Sequence, residues 1–401
     1  MNISKVECNG LRVLVPGAVV LSALVAGMSS VQADEYSLKY GVTADYEYND
    51  NVGLSPNDKI DISGGQLAIP VTLASRSERL NTSLAGELAF SRFDDSGYNS
   101  DDQNLEAKLD YLLERGELEG SAGFKRASTR TTEFDDTGVV GLDASRVETA
   151  TLGGAGSYLF TEKNGITGGV DYRQVDYQSD AFQDYSFVTG YGGWINQWSE
   201  RTRLRLQGYF SRYINDDGNI DVESDTLGFQ AGFDSKLSER LSTAALIGWA
   251  NTDTSFKSNT VVPPDDDSAG SVLVQGSVSY REERYQLDAK VMSEPSPTGN
   301  GTLYARHTLD LAYRYQLTER SRFDLGLTVG QQSAVDDGIN NDRDWARIVL
   351  RLDYRIAENW YVAGRYQYSY QDLQQATGDA YSNAIFLSLI FEPENQLIWS
   401  R

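Results

Sequence analysis

Apolar and polar residues alternate with a period of two over long stretches of this chain. From Leu303, one face carries Leu303, Ala305, His307, Leu309, Leu311, Tyr313, Tyr315 and Leu317, and the other carries Arg306, Thr308, Asp310, Ala312, Arg314 and Gln316. From Ala346, an apolar set of Ala346, Ile348, Leu350, Leu352, Tyr354 and Ile356 is interleaved with Arg347, Val349, Arg351, Asp353 and Arg355. Trp360, Val362, Gly364, Tyr366 and Tyr368 alternate likewise with Tyr361, Ala363, Arg365 and Gln367. Successive side chains of a strand point to opposite faces, so each segment predicts a strand with one apolar and one polar side. At about 11 to 15 residues these strands are long for a soluble sandwich and suit a tilted crossing of a bilayer. Beyond Ala33 no apolar run approaches ~18 residues, which excludes helical membrane spans.

The connections carry the stronger signal. Short, similar turns recur about every 40 residues, the repeat of a hairpin in a large barrel. They are Arg76-Ser77-Glu78-Arg79, Glu114-Arg115-Gly116-Glu117, Thr161-Glu162-Lys163-Asn164-Gly165, Ser199-Glu200-Arg201, Ser238-Glu239-Arg240, Glu282-Glu283-Arg284, Thr318-Glu319-Arg320 and Ala357-Glu358-Asn359. Between them lie long, acidic, glycine-bearing segments: Asn49 to Lys59, Phe93 to Asp102, Thr129 to Asp143, Ser179 to Asp184, Asn215 to Asp221, Lys257 to Asp267, Glu294 to Gly301, Ser333 to Asp342 and Gln371 to Asp379. Nine long loops alternating with eight short turns predict eighteen strands. An even count with both ends on the short-turn side fits a closed antiparallel up-and-down barrel, an all-β transmembrane fold. Closure matters because an unpaired N–H or C=O costs several kcal/mol in hydrocarbon. Trp194, Trp198, Trp345 and Trp360 near strand ends are expected in interfacial girdles. Gly64-Gly65 and Pro70 predict a bulge in the second strand.

The first 33 residues read as an export signal: Lys5 and Arg12, an apolar Val13–Ala26, then Val31-Gln32-Ala33 at a cleavage position. Residues 34–401 would then form the barrel. Cys8 precedes the apolar stretch, so it is not placed as a lipoprotein anchor, and the mature chain is expected to lack cysteine.

Composition narrows the chemistry. The chain has 401 residues, 35 Lys+Arg against 58 Asp+Glu and a net charge of −23, which argues against a nucleic-acid partner. One His and one Cys leave little material for zinc, haem or Cys/His nucleophile sites, so neither an enzyme, a cofactor nor a metal is expected. His307, on the apolar face, reads as an interfacial histidine without polar partners on its own face. The acidic clusters Asp94-Asp95, Asp101-Asp102, Asp216-Asp217, Asp265-Asp266-Asp267 and Asp336-Asp337 lack calcium-loop spacing and read as solvated loop charge, the alternative being loose divalent-cation bridging to the negatively charged surface lipid outside.

The polar face is more informative. Alternation directs Arg203, Arg205, Arg306, Arg314, Arg322, Arg347, Arg351, Arg355 and Arg365 to the lumen. Seven of the nine come from four consecutive strands, predicting an arginine-rich wall that selects anions. Asp310, Asp324 and Asp353 share those strands and could instead make the arginines structural.

The signal followed by a strand running into Tyr48-Asn49-Asp50-Asn51-Val52 and Leu54-Ser55-Pro56 resembles the opening of outer-membrane beta-barrel porins encoded with exopolysaccharide biosynthesis clusters. The hairpin rhythm from Glu35 to Phe391 is similar to that family. The resemblance implies an outer-membrane pore through which a secreted polysaccharide leaves. In general architecture the chain also resembles alginate-export barrels, whose lumen is arginine-lined. One departure is the tail: many barrels end on an aromatic residue, whereas Glu392 to Arg401 follows Leu387, Leu389 and Phe391 here. The expected function is export of exopolysaccharide across the outer membrane of a Gram-negative bacterium. The alternatives are a diffusion porin for small anionic solutes and a surface structural or adhesive barrel. Expected partners are outer-membrane lipid, the barrel-assembly machinery, and either the secreted polysaccharide or small anions.

Overall fold

The computed structural model describes residues 35–136, 145–215, 220–258, 266–335, 342–373, 378–393 and 397–399. The export signal, Asp216-Asp217, Asp265 and Asp336-Asp337 lie outside the described residues. Strands dominate the described chain, running β1 (Glu35–Tyr40), β2 (Val42–Asn49), β3 (Ile62–Arg76), β4 (Leu80–Phe93), β5 (Ser100–Leu113) and β6 (Gly116–Ser128). A short helix, α1 (Thr129–Asp136), follows. Then come β7 (Arg146–Leu159), β8 (Asn164–Tyr177), β9 (Tyr185–Ser199), β10 (Thr202–Asn215), β11 (Asp221–Lys236), β12 (Leu241–Lys257) and β13 (Asp267–Arg281). The remainder is β14 (Tyr285–Pro297), β15 (Leu303–Thr318), β16 (Ser321–Ala334), β17 (Arg343–Ala357), β18 (Trp360–Leu373), β19 (Ala380–Phe391) and β20 (Leu397–Trp399).

From β2 to β19 each strand pairs antiparallel with its sequence neighbour, and β19 closes the ring on β2 from Ala384↔Asn49 to Phe391↔Val42. The twenty segments make eighteen barrel strands. β1 and β2 are one strand interrupted at Gly41, whose N–H donates to Pro70 O at 3.1 Å. Pro70 has no N–H to return, so one ladder bond is missing there. Either side of that gap β3 keeps a single register, Tyr40↔Val71 above and Thr43↔Ala68 below. The expected bulge near Gly64-Gly65 is therefore absent: a proline whose missing donor faces a glycine interrupts the ladder without displacing it. β20 likewise continues β19, pairing Leu397↔Leu38 and Tyr36↔Trp399 along β1. β20 thus completes the seam at the short-turn end.

The recurring turn sequence has a local cause. The hydroxyls of Ser77, Thr161, Ser199, Ser238 and Thr318 each accept from the backbone N–H three residues on, at 2.8–3.1 Å. This is the turn that Ser and Thr stabilise by mimicking a backbone acceptor.

Period-two alternation separates two surfaces. Outward positions carry apolar side chains in the open, including Leu227 at 64% exposure and Leu387 at 59%. A continuous apolar surface of this extent is untenable in water and is what a bilayer requires. Trp194, Trp198 and Trp360 are exposed outward near the short turns, as an interfacial girdle demands. Trp345 is not in a girdle. It is 4% exposed, has the same parity as Arg347, and packs inside with Leu54 and Ala380. Leu303 is also interior: it joins Val147, Tyr213 and Phe256 in a cluster whose members come from β7 to β15 and can meet only within the barrel.

The long connections lie at one end and the short turns at the other. A cysteine placed at Asp266 should react with an impermeant thiol reagent on intact cells, and one at Glu239 should not. Labelling at Glu239 alone would invert this orientation.

Candidate functional site

The interior positions of β15 to β18 hold eight arginines and three aspartates. Arg306 and Arg314 lie on β15, Arg322 on β16, Arg343, Arg347, Arg351 and Arg355 on β17, and Arg365 on β18. The β17 arginines recur every fourth residue, so they share one face at about 13 Å intervals. Arg343 adds an eighth to the seven expected from these strands; it has the same parity and is 2% exposed, with its guanidinium 5.9 Å from the Trp345 ring.

Pairing across the strands decides how the charge is spent. Asp324 accepts from Arg314 Nε and Arg322 Nε, both at 2.9 Å. Asp353 accepts from Arg322 Nη2 at 2.8 Å and Arg351 Nε at 2.9 Å. Three guanidinium groups thus share two carboxylates, leaving one positive charge in excess. Asp310 accepts a hydroxyl hydrogen bond from Thr328 at 2.8 Å and lies opposite Lys290. Arg351 and Arg365 are direct cross-strand neighbours, an arrangement of like charges that disfavours pairing on its own. Arg365 sits 3.6 Å over the Phe386 ring, whose negative face offsets part of that repulsion.

Arg203 and Arg205 stand apart on β10. Arg205 forms a two-pronged pair with Asp234, with Nε at 2.5 Å from Oδ2. Arg203 is directly opposite the same aspartate. Arg205 and Arg306 nevertheless border one interior cavity of about 620 Å³, together with Arg173 and Asp171. A second cavity of about 310 Å³ at the short-turn end is bordered by Arg322, Arg351 and Arg355.

Two outer segments fold inward over the wall. In the loop between β2 and β3, Asn51 Nδ2 donates to Ser55 O and Tyr381 O, and Leu54 O accepts from Gln371 Nε2 at 2.8 Å. That bond helps hold Leu54 at φ 47°, a left-handed conformation that is unusual for a branched residue. From α1, Arg130 reaches across to Glu47 on β2 at 3.1 Å, and its guanidinium lies 4.7 Å from the Phe93 ring. Arg130, Glu47, Arg347 and Arg365 border a cavity of only about 220 Å³, so cations and one anion meet where the mouth narrows. Interior positions of β2, β4, β5 and β6 are acidic in net: Asp45, Glu47, Glu87, Asp102, Glu106 and Glu119 outnumber Lys108, which pairs with Glu106 at 2.8 Å, and Lys125. A basic wall thus meets an acidic one across the seam.

Arg130 escaped the sequence reading because it sits on a loop helix, where no periodicity assigns a face. Arg343 and the acidic positions carried the same parity signal as the nine arginines named from the sequence. His307 does have polar neighbours on its outward face: the register places it in a row with Ser293, Gln331 and Asp344. Among the loop acids, Asp94 is held below the usual carboxylate range by hydrogen bonds from the Ser63 backbone N–H and hydroxyl.

Residues 224–389 match the family described as "Putative beta-barrel porin-2, OmpL-like". The match covers less than half of the chain. Among solved structures, the chain is similar to OccK2 (OpdF) of Pseudomonas aeruginosa, at 12% identity over 89% of this chain and 98% of that one, with a TM-score of 0.46. It is similar to a BenF-like porin of Pseudomonas fluorescens Pf-5, at 9% identity over 90% and 100%, TM-score 0.46. OccAB3 of Acinetobacter baumannii is similar at 11% identity over 91% and 99%, TM-score 0.43. Comparison with curated proteins gives no match. A closed up-and-down barrel with this apolar outer face is an outer-membrane protein of a Gram-negative bacterium.

Proposed function

We propose that the chain is a diffusion porin for small anionic solutes. The observation that carries this reading is the excess of arginine over aspartate on the interior of β15 to β18, which survives every ion pair found there. Guanidinium stays charged at all relevant pH, and a low-dielectric wall focuses its field into the lumen, raising the local concentration of anions. The inward-folded loop and α1 favour small solutes over a polymer, because they narrow the mouth at Arg130 and Glu47. The matched family's description as a porin supports the same reading. Nothing in the comparisons supports an association with exopolysaccharide.

The test is swelling of liposomes carrying the purified barrel. Succinate should enter faster than an uncharged solute of equal size, and a diamine of equal length should enter more slowly than either. Equal rates for succinate and the diamine would refute the anionic preference.

A further inference from the structure

One interval of the wall is not paired along its full height. β13 and β14 pair from Arg281↔Gln286 up to Val274↔Ser293, and there their ladder stops. Above it β13 continues against β12 as far as Asp267, and β14 continues against β15 as far as Pro297. Asp267–Leu273 and Glu294–Pro297 therefore flank a seam in the outer half of the barrel.

The chemistry of the seam suits an edge that stays unpaired. Pro295 and Pro297, both buried, remove two donors that β14 would otherwise have to satisfy on this side. Val272 O, which a continued ladder would set against Pro295, accepts instead from Ser293 Oγ at 2.6 Å. Unpaired backbone at membrane depth is tolerated only where it lines a cavity or protein, since facing hydrocarbon costs several kcal/mol per group. Space lies on both sides. Inside, the cavity of about 620 Å³ reaches Met292, Glu294 and Pro295. Outside, an open groove of about 800 Å³ is walled by Val272, Val274, Val291 and Met292. Met292 borders both. On the inner side Glu294 lies opposite Arg306, with Lys290 opposite Asp310 and with Arg173 and Asp171 bordering the same cavity, a charged cluster of three cations and three anions.

We propose that this seam is a lateral port by which a single-tailed amphiphile passes between the lumen and the outer leaflet. Its tail occupies the apolar groove and its head the charged cluster around Arg306 and Glu294. The port goes beyond diffusion of small anions and can fail without affecting that reading.

The test uses the full barrel in a Cys8→Ser background, reconstituted in vesicles. A fluorophore on Met292→Cys should be quenched both by aqueous iodide and by lipids brominated along their acyl chains. On Thr328→Cys, interior on the continuously paired β16, it should be quenched by iodide alone. Absence of lipid-borne quenching at Met292 would overturn the port. Pro295→Thr with Pro297→Thr restores both donors and lets the ladder close. Uptake of decyl sulfate should then fall several-fold, to what the mouth alone admits, while chloride conductance is unchanged. Undiminished decyl sulfate uptake in a variant that has lost lipid-borne quenching would overturn the passage of solute. Should the double variant not assemble, the comparison of Met292 with Thr328 still decides.

Discussion

Leu350→Arg should destabilise the inserted barrel by about 2–4 kcal/mol, whereas Val349→Arg, one residue away, should be tolerated. Leu350 sits at the centre of β17 and points outward, flanked across the sheet by Leu325 and Tyr366. An arginine there meets hydrocarbon near the midplane, too far from either interface to snorkel without distorting the strand. Val349 points inward between Gly326 and Gln367, where the glycine leaves room and the polar face accepts a charge. The guanidinium would join Arg347 and Arg351 on the same strand, and a water-filled interior screens part of that repulsion. Denaturant titration of the two variants in vesicles, followed by heat-modifiable gel mobility, measures the difference. Equal damage from both would mean that the inward and outward faces of β17 are reversed.

That the two faces can be told apart from sequence rests on a period of exactly two residues per repeat, which a strand keeps as long as its register holds. Five of the eight short turns were legible for a different reason: each hydroxyl serves a local backbone N–H, so its signature does not depend on the rest of the fold. Local causes gave a strand count that the closed ring agrees with. The misreadings arose where a second rule overrode the first. Trp345 shares the parity of Arg347, yet its place near a strand end suggested a girdle; the inward-folded loop carrying Leu54 buries it instead. Leu303 shares the parity of Leu309 but lies at the mouth, where converging loops make an inner core that no single strand's pattern encodes. Pro70 suggested a bulge because a proline removes a ladder bond, but its partner is Gly41, and the reciprocal bond from Gly41 N–H to Pro70 O keeps the register through the gap. Arg130 and the contact it makes with Glu47 depend on how a long loop folds, which composition alone leaves open.

The arginine wall could be read from sequence as a set of residues but not as a set of bonds, and the bonds set what its removal should do. Replacing Arg347, Arg351, Arg355 and Arg365 together by Gln removes four positive charges while keeping a polar, hydrogen-bonding side chain at each position. Asp353 loses Arg351 but keeps Arg322, and Asp324 keeps Arg314 and Arg322, so no interior carboxylate in that network is left without a cation. At the mouth, Arg130 and Glu47 remain as a neutral pair once Arg347 and Arg365 are gone. The acidic positions of β2 to β6, opposed until then by the basic wall, come to dominate the field. Interior substitutions chiefly tune selectivity, so the barrel should assemble with wild-type gel mobility. In planar bilayers under a salt gradient, the reversal potential should move from the anion side toward the cation side, and succinate should lose its advantage in liposome swelling. An unchanged reversal potential in a correctly assembled variant would reduce these arginines to partners of Asp324 and Asp353, and with that the anionic preference would have no physical basis in this wall.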